Sequence, residues 1–297
     1  MSLALLVPGG TGQLGRELAA SAPVGAEVHA PGSAELDVTN VGAVVEAVKT
    51  FAGTATLPPV VVNAAAYTAV DAAESDAGRA FTVNADGPRV LAAACSAHGV
   101  PLIHVSTDYV FPGDADSPYR TDAELGPRCV YGVTKAAGED AVLRSGARAW
   151  VVRTAWVYGA HGANFVKTMA RLSTTDDTVS VVDDQCGSPT WTRDLAAGLL
   201  ELAGLVAGGK EPPPVLHATG GGETTWYEFA RAVFTELGAD PARVRPGRTE
   251  DRPRPAPRPA YSVLSGEEWR SAGLTPLRSW REALAAAFAE DGDAFRG

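Results

Sequence analysis

The sequence has few cysteines, and their spacing gives them no structural role. Its 297 residues contain three, Cys95, Cys129 and Cys186, and no two of them form a Cys-x-x-Cys pair. An odd number of widely separated cysteines argues against a disulfide framework, and without ligand spacing it argues against a zinc site. We therefore expect free thiols in a reducing cytoplasm. The five histidines also lack ligand spacing, so we interpret them as structural or surface residues.

Positive charge and long apolar runs are also scarce. Lys and Arg number 25 against 35 Asp and Glu, a net charge of −10, so the chain lacks the positive field that attracts nucleic-acid backbones. No stretch approaches the roughly 20 apolar residues of a membrane span. The apolar start, residues 1–8, lacks the charged region of a secretion signal. We expect no nucleic-acid partner, no membrane insertion and a cytoplasmic location.

What the sequence does contain is the alternation typical of an α/β protein. Apolar residues make up 45% and charged residues 20% of the chain, as in ordinary globular domains. Short apolar runs alternate with helical periodicity, which predicts βαβ units and a Rossmann-type doubly wound parallel sheet. The predicted strands are residues 3–8, 60–63, 101–105 and 150–153, with a weaker one at 27–30. The predicted helices are 41–52, 77–97 and 130–143, and a further helix begins at Gln13.

The alternation loosens after about residue 160. The segment 240–260 holds six prolines and six arginines, and we interpret it as an irregular loop because proline does not fit a regular helix. The other elements predicted in this half are helices at 164–172, 192–206, 225–237 and 278–288 and strands at 179–182 and 215–219.

A glycine-rich loop follows the first predicted strand. Gly10, Gly12 and Gly15 form a Gly-x-Gly-x-x-Gly pattern, which overlaps a second frame that begins at Gly9. Such a loop brings backbone N–H groups against a pyrophosphate at a helix N-terminus. Its position between a strand and a helix favours a dinucleotide site over an ordinary glycine turn.

The residues leave the choice between NADH and NADPH open. An acidic residue about 20 positions beyond the loop would hold the ribose of NAD, and an arginine there would accept the 2′-phosphate of NADP. Residues 30–33, at the end of the second predicted strand, include neither. Asp37 comes later, where it could bond the adenine amine or belong to a helix N-cap region.

Two pairs of side chains have the character of a catalytic site. Tyr131 and Lys135 lie one helical turn apart, and a nearby ammonium lowers a phenol pKa from about 10, which would make Tyr131 a general acid. Two residues on the exposed face of a helix would show the same spacing, so the spacing alone does not distinguish a catalytic pair from a surface pair. Thr107 and Asp108 follow the predicted strand 101–105, at the edge where open α/β sheets bind ligands. The presence of both pairs in one chain favours a catalytic role for Thr107 and Asp108 over strand-end capping.

Ten segments form recognisable motifs. They are residues 12–15, 62–71, 106–111, 131–135, 153–158, 164–169, 184–190, 226–230, 258–264 and 280–284. With them the chain resembles the extended short-chain dehydrogenase/reductases, and within these the dTDP-4-dehydrorhamnose reductase family. The later motifs are more specific than the glycine loop, and the resemblance spans nearly the whole chain.

The resemblance implies a set of site residues. The catalytic residues that it implies are Thr107, Tyr131 and Lys135. The residues that it places against NADPH or NADH are Gly9, Gly12, Gln13, Leu14, Gly15, Asp37, Val38, Ala64, Ala65, Ala66, Tyr67, Thr68, Val105, Tyr131 and Lys135. The residues that it places on the substrate side are Thr107, Asp108, Trp156, Asn164, Gln185 and Arg258.

The resemblance also implies a reaction. Reduction by NAD(P)H would convert the C4 keto group of dTDP-4-dehydro-L-rhamnose to the alcohol of dTDP-L-rhamnose, with Tyr131 as proton donor. A sister reductase of another dTDP-keto-sugar, in the dihydrostreptose branch or antibiotic deoxysugar pathways, would share these residues. A nicotinamide-binding regulatory subunit is a further alternative, which the intact Thr107, Tyr131 and Lys135 disfavour. Some relatives dimerise through Mg²⁺ bound by glutamates, but no full ligand set maps here, so no metal residue is assigned and a homodimer stays open.

We expect two domains with the site between them. Residues 1–155 would form the dinucleotide-binding domain, to which the family layout returns the chain near 184–204. Residues 156–183 and 205–297 would form a smaller α/β substrate-binding domain. Because a chain of net charge −10 would bind two anions, its positive potential must be local. The arginine-rich loop that ends at Arg258 would close over the diphosphate, unless it is only a solvated linker.

Overall fold

The computed structural model describes residues 2–175 and 177–296, and the bounds below refer to those residues. The strands are β1 (Ala4–Leu6), β2 (Glu27–His29), β3 (Pro59–Asn63), β4 (Leu102–Thr107), β5 (Ala149–Thr154), β6 (Val157–Tyr158), β7 (Val179–Val182), β8 (Cys186–Gly187), β9 (Thr190–Trp191), β10 (Val215–His217), β11 (Thr224–Thr225) and β12 (Val244–Gly247). The α-helices are α1 (Gln13–Ala20), α2 (Val41–Thr54), α3 (Val70–Ala73), α4 (Ala77–Phe81), α5 (Gly87–His98), α6 (Val130–Leu143), α7 (Phe165–Ser173), α8 (Thr192–Ala207), α9 (Trp226–Glu236), α10 (Glu267–Ser271) and α11 (Trp280–Arg296).

A parallel sheet organises the first part of the chain. Within the described residues it has six strands in the order β10-β5-β4-β3-β1-β2. The chain runs outward from β1 to β2 and then returns to the other side of β1 for β3. At such a reversal of strand order, the carboxyl ends of the strands open into a crevice where α/β proteins bind ligands. The glycine loop and Thr107 both lie at this edge.

Both faces of the sheet are covered, which explains why its strands are continuous apolar runs rather than alternating ones. On one face Leu5 and Val62 pack with residues of α8. On the other face Leu6 and Val61 pack with residues of α2 and α5. Side chains of a strand alternate between its two faces, so a run such as β3 is buried on both sides. The predicted doubly wound α/β fold is therefore confirmed.

A third apolar cluster forms apart from the large sheet. It includes Tyr158, Met169, Phe229 and Phe288 from β6, α7, α9 and α11. The short parallel pair β7 and β12 adds Val181 and Val244 to it. This aromatic-rich core packs later segments of the chain against one another.

The segment 240–260 differs from the predicted irregular loop. It contains β12, which pairs in parallel with β7, and Pro246 lies within that strand opposite Val181. Proline is tolerated there because β12 is an edge strand of a two-stranded sheet and needs no further hydrogen-bond partner for that nitrogen. Val244 is 2% exposed, and its burial supplies the reason for a strand in this segment.

Other boundaries also differ from those predicted, three of them at α4, β4 and α11. The helix predicted over 77–97 is divided into α4 and α5 by a π-helical turn at Thr82–Asp86. Strand β4 runs on to Thr107, beyond the predicted end at residue 105. Helix α11 extends to Arg296, with a kink at Asp291, beyond the predicted end at residue 288. No helix in the described ranges combines the length and apolar character that a membrane crossing requires.

Candidate functional site

The glycine loop between β1 and α1 is shaped by close backbone contacts. Gly9 has a φ of +83°, and a Cβ there would lie 2.6 Å from the backbone nitrogen of Ala65. A Cβ at Gly10 would overlap the carbonyl oxygen of Ala30, and one at Gly15 would overlap that of Gly9. Gly12 is the N-cap residue of α1 and has no side chain to occupy the first N–H groups of the helix. The loop is therefore a cradle that an anion such as a pyrophosphate fits.

A cavity of about 490 Å³ opens beside this loop. The residues named from the sequence that line it are Gly9, Gly12, Asp37, Val38, Ala64, Ala65, Ala66 and Tyr67. Thr11, Ser33 and Arg79 line it as well and had no sequence signal of their own. Thr68 is exposed and lies outside this lining, while Leu14 packs against the core of the sheet. We call this space the glycine-loop cavity.

Asp37 belongs to a turn rather than to a helix cap. Its Oδ1 accepts hydrogen bonds from the backbone nitrogen and the hydroxyl of Thr39, at 2.9 and 2.8 Å. These bonds lower the pKa of the carboxyl below its usual value, so it is ionised at neutral pH. Asn40 caps α2 through its side chain. The Asp37 carboxylate thus lines the glycine-loop cavity as a fixed acceptor.

Tyr131, Lys135 and Thr107 converge at the carboxyl edge of β4. Tyr131 and Lys135 lie one turn apart on the buried face of α6, where they are 9% and 2% exposed. Gly132 allows this approach, because a Cβ there would overlap the carbonyl oxygen of Tyr109. Thr107 donates from its hydroxyl to Asp108 Oδ1 at 2.9 Å. The four predicted polar side chains therefore share one buried neighbourhood.

The electrostatics of this group differ from the sequence-based expectation. Burial raises the pKa of the Tyr131 phenol above its ordinary value, whereas we had expected Lys135 to lower it. Nζ of Lys135 donates to the carbonyl oxygen of Val105 at 2.7 Å. Burial also lowers the pKa of Lys135 to about 8 and raises that of Asp108 to about 6. Desolvation therefore outweighs the attraction between charges, because every group is inside the protein.

A second cavity has a volume of about 630 Å³. Gln185 and Arg258 line it, together with Tyr109, Phe165 and Trp226. We call it the Arg258 cavity. Its lining combines aromatic faces with a guanidinium, which suits a ligand that has both a flat ring and negative charge.

Trp156 is held in a strained backbone conformation next to this cavity. Its φ is +48°, which is uncommon for a bulky residue. Its indole stacks on that of Trp226 with ring centroids 3.5 Å apart and planes 7° apart. Gly187 leaves room for it, since a Cβ there would lie 2.5 Å from the indole. Strain of this kind persists where surrounding contacts enforce it, often at functional sites.

Arg258 is anchored rather than free in a solvated linker. Its Nη2 lies 2.9 Å from Asp71 Oδ2, and its Nη1 donates to the carbonyl oxygen of Ala256. Arg254 reaches the same carboxylate at 3.4 Å, and the backbone nitrogen of Ala256 also donates to Asp71. The guanidinium of Arg248, by contrast, is 72% exposed. Asp71 therefore fixes the end of the arginine-rich segment against α3.

Asn164 contacts the glycine-loop side. It caps α7 by accepting from the backbone nitrogen of Lys167. Its Nδ2 donates to Gln13 Oε1 at 3.1 Å and to the carbonyl oxygen of Gly159 at 2.8 Å. The side chain connects α7 to the first turn of α1, and its predicted contact with substrate stays a prediction.

Metal ligation was left open by the sequence. Within residues 2–175 and 177–296, no three His, Cys, Asp or Glu side chains come together in an arrangement that could hold a metal ion. All three cysteines are free thiols, and burial raises the pKa of Cys95 to about 12.

Comparison with known proteins adds a family to this geometry. The family model for the RmlD substrate binding domain matches residues 3–292. A relative from Streptomyces griseus, a dTDP-4-dehydrorhamnose reductase, is 52% identical over 95% of this chain and 92% of its own length. The chain belongs to the dTDP-4-dehydrorhamnose reductase family. Its members are oxidoreductases, and the resemblance inferred from the motifs is confirmed.

Two further similarities describe the range of this reductase family. The crystal structure of dTDP-4-dehydrorhamnose reductase from Bacillus anthracis in complex with NADP has a TM-score of 0.90 and 34% identity, and it covers 98% of this chain and 100% of that one. A dTDP-4-keto-6-deoxy-D-glucose reductase from Streptomyces niveus is 44% identical over 95% of this chain and 96% of its own. The family thus includes reductases named for different dTDP-keto-sugars.

Proposed function

We propose that this protein uses NAD(P)H to reduce the C4 keto group of dTDP-4-dehydro-L-rhamnose to the alcohol of dTDP-L-rhamnose. The observation that carries the proposal is the buried group of Thr107, Tyr131 and Lys135, which lies at the same edge of the sheet as the glycine cradle. Membership of the reductase family supports the reaction, and the name of the S. griseus relative supports the substrate.

The glycine-loop cavity would hold the cofactor, whose nicotinamide supplies the hydride when bound. The first N–H groups of α1 and the cradle at Gly9 and Gly12 would bind the pyrophosphate. Asp37 would accept from the adenine amine, and Lys135 would donate to a ribose hydroxyl. The fit is supported by the three glycines of the loop at which a side chain would collide with the backbone.

NADPH is the cofactor that we propose first. The end of β2 leads into residues 30–33, none of which is acidic, and the nearby Glu35 carboxylate already accepts from the backbone nitrogen of Gly32 at 3.0 Å. Ser33 lines the cavity, and Arg16 lies beside the loop with its Nε donating to Thr11. A serine hydroxyl and a guanidinium both suit a phosphate. NADH would bind with fewer contacts.

The chemistry of the chain's own residues is proton delivery. Tyr131 keeps its proton at neutral pH because a phenol ionises only near pH 10 and burial raises its pKa further, and it would release that proton to the carbonyl oxygen of the substrate as negative charge develops there. Thr107 would donate a second hydrogen bond to this oxygen once its hydroxyl turns away from Asp108. A preorganised donor of this kind is worth about 2.7 to 4 kcal/mol.

We propose that the Arg258 cavity receives the nucleotide sugar. Arg258 would pair with the diphosphate, while Trp156, Gln185 and Asp108 would contact the rest of the substrate. Anchoring by Asp71 supports this, because a fixed guanidinium loses less conformational freedom on binding than a free one.

A sister activity on another dTDP-4-keto-sugar is the second candidate. The S. niveus relative, named for dTDP-4-keto-6-deoxy-D-glucose, supports it. The two functions differ in whether the sugar must first be epimerised.

A coupled assay separates these functions. The protein would be supplied with NADPH or NADH and with the product of a dTDP-glucose 4,6-dehydratase, with and without a 3,5-epimerase, and the sugar product would be identified. We expect dTDP-L-rhamnose only when the epimerase is present and faster turnover with NADPH. Turnover without the epimerase would establish the sister activity. No turnover with either sugar would favour a regulatory subunit.

We further infer how the chain divides into domains and where in the cell the protein acts. The packing of α8 against α1 supports a cofactor domain of residues 1–155 together with 184–204. The third apolar cluster supports a substrate domain built from 156–183 and most of 205–297, whereas β10 joins the large sheet through β5 and Trp269 and Leu274 pack in the core of that sheet. The three free thiols support a reducing cytoplasm as the location.

A further inference from the structure

A row of buried polar side chains leads to Lys135 inside the protein. Asn63 and His104 are direct neighbours in the register of β3 and β4, and they are 1% and 0% exposed. Asn63 Nδ2 lies 3.0 Å from His104 Nδ1. The other ring nitrogen, His104 Nε2, lies 3.5 Å from Lys135 Nζ. The three side chains therefore form a continuous chain of polar contacts that ends on the proposed catalytic lysine.

The orientation of the Asn63 amide follows from its other contact. The backbone N–H of Ala65 donates to Asn63 Oδ1 at 3.1 Å, and only the oxygen of the amide can accept that bond. The NH₂ group is therefore turned to His104, and Nδ1 of the imidazole must be an acceptor. Burial lowers the pKa of His104 well below its ordinary value, so the ring is neutral and has one proton. That proton must be on Nε2, which faces Lys135.

The position of this proton distinguishes the two forms of Lys135. An ammonium has three N–H donors and no lone pair, so an Nε2–H pointed at it is repulsive. A neutral amine has a lone pair that accepts the same N–H. Either form of Lys135 can donate to the carbonyl oxygen of Val105. We propose that Asn63 and His104 form a tautomer lock, which presents a proton to Lys135 and thereby stabilises its neutral amine.

Other charged groups near the buried side of α6 do not account for the preference of Lys135 for its neutral form. The titratable or charged groups that the packed elements contribute there are Tyr131 and Glu139 of α6, His104 of β4, Arg153 of β5, Asp108 and Tyr109 of the turn after β4, and Glu74 after α3. Glu139 would favour the ammonium, but Arg153 Nη2 pairs with it at 2.7 Å and offsets its charge. Burial and the Nε2–H proton then both favour the amine.

The lock gives His104 and Asn63 a positioning role in the proposed reaction. A lysine that loses its proton near neutral pH can exchange protons with the site, whereas a permanent ammonium acts only as a fixed charge. This functional meaning rests on the proposed role of Lys135. The tautomer itself is a property of the folded chain and is measured without substrate.

The chain offers a simple spectroscopic test, because it has only four lysines, Lys49, Lys135, Lys167 and Lys210. Lysine labelled with ¹³C at Cε would be titrated by NMR in the full-length protein, with the Lys135 signal assigned by its loss in Lys135→Met. Histidine labelled with ¹⁵N, with His104 assigned through His104→Phe, would report the tautomer. We expect an Nε2–H tautomer in the wild type and a Lys135 midpoint well below that of the exposed Lys49. An Nδ1–H tautomer would overturn the proposal.

Asn63→Asp should reverse the lock. A carboxylate still accepts from Ala65 but also accepts from Nδ1, so the lone pair of Nε2 would turn to Lys135 and favour the ammonium. We expect the His104 tautomer to invert and the Lys135 midpoint to rise by about one pH unit or more. Because the added charge alone also raises the midpoint, Asn63→Asp is repeated in the His104→Phe background.

The shift should be clearly larger with His104 than with Phe at that position, and equal shifts would overturn the lock. If Asn63→Asp does not fold, the wild-type tautomer decides alone. Reductase assays run beside these titrations separate the two proposals. An inactive wild type with the Nε2–H tautomer refutes the proposed function and supports the tautomer lock. An active wild type with the Nδ1–H tautomer supports the proposed function and refutes the lock.

Discussion

The proposed cofactor side of the site presents backbone, whereas the proposed substrate side presents long side chains from distant segments. In the glycine-loop cavity, Gly9 and Gly12 leave the N-terminus of α1 bare, and neighbouring backbone prevents any larger residue at Gly10 or Gly15. In the Arg258 cavity, Trp156 and Arg258 are positioned by Trp226 and Asp71 from other parts of the chain. A local motif thus defines the first surface and tertiary contacts define the second.

The largest effect should come from the group between the two surfaces. Tyr131→Phe removes the proposed proton donor, and we expect kcat to fall by about 10²- to 10⁴-fold while the Kd for NADPH changes little. Steady-state kinetics and cofactor titration measure the two quantities. Tyr158→Phe is the matched control, since Tyr158 is also a buried tyrosine but belongs to the third apolar cluster. Unchanged turnover in Tyr131→Phe would remove Tyr131 from the mechanism.

Gly15→Ala tests the backbone surface alone. The added methyl overlaps the carbonyl oxygen of Gly9, so the loop must shift, and we expect the Kd for NADPH to rise at least about tenfold. Gly53→Ala is the control, because nothing lies within 4 Å of a Cβ at this position in α2. That variant should keep its cofactor affinity and gain about 0.5 to 1 kcal/mol of stability. Equal cofactor affinity in both variants would contradict the role of the cradle.

Arg258→Ala tests the side-chain surface alone. Losing a charge-assisted contact to the diphosphate costs about 1.5 to 3 kcal/mol, so the KM for the dTDP-sugar should rise about tenfold or more. The KM for NADPH should stay the same. Arg248→Ala removes an exposed guanidinium of the same segment and should change neither value. If the two variants behave alike, the segment is a linker and not a binding surface.

Asp108→Asn should have the smallest effect, which we expect in the free energy of unfolding. Burial raises the folded-state pKa of Asp108 to about 6, above its unfolded value near 3.8, so the native state binds more protons than the unfolded state between these values. The ionised carboxyl therefore costs stability increasingly as pH rises from about 4 to about 6. We expect Asp108→Asn to gain about 1 to 3 kcal/mol relative to wild type over that interval. Chemical denaturation at pH 4 and pH 7 measures the difference, and a constant difference would exclude the shifted pKa.

Local patterns predicted the sheet and its helices well. Helix α6 and strand β7 have the bounds that periodicity predicts, since the spacing of apolar residues is a property of short segments. The π-helical turn at Thr82–Asp86 and the strand β12 were missed. Both depend on partners far along the chain: Asn84 bonds to Tyr67 and Thr134, and β12 pairs with β7.

The site was predicted unevenly for the same reason. The motif spacing identified Tyr131, Lys135 and Thr107 as candidate catalytic residues, and the structure places them in one buried group. The direction of the Tyr131 pKa shift was predicted wrongly, because spacing along a helix gives proximity but not the depth of burial. His104 was interpreted only as a structural or surface residue, and its place between Asn63 and Lys135 depends on the pairing of β3 with β4.

Residue types and local patterns were enough to predict the α/β class, the glycine loop, the polar site residues and, through motifs, the reductase family. Each of these rests on residues close together in the chain or on residue types alone. The anchoring of Arg258 by Asp71, the stack of Trp156 on Trp226 and the place of His104 between Asn63 and Lys135 could not be predicted in this way. These depend on distance, burial and hydrogen-bond direction, which exist only once separate segments have packed.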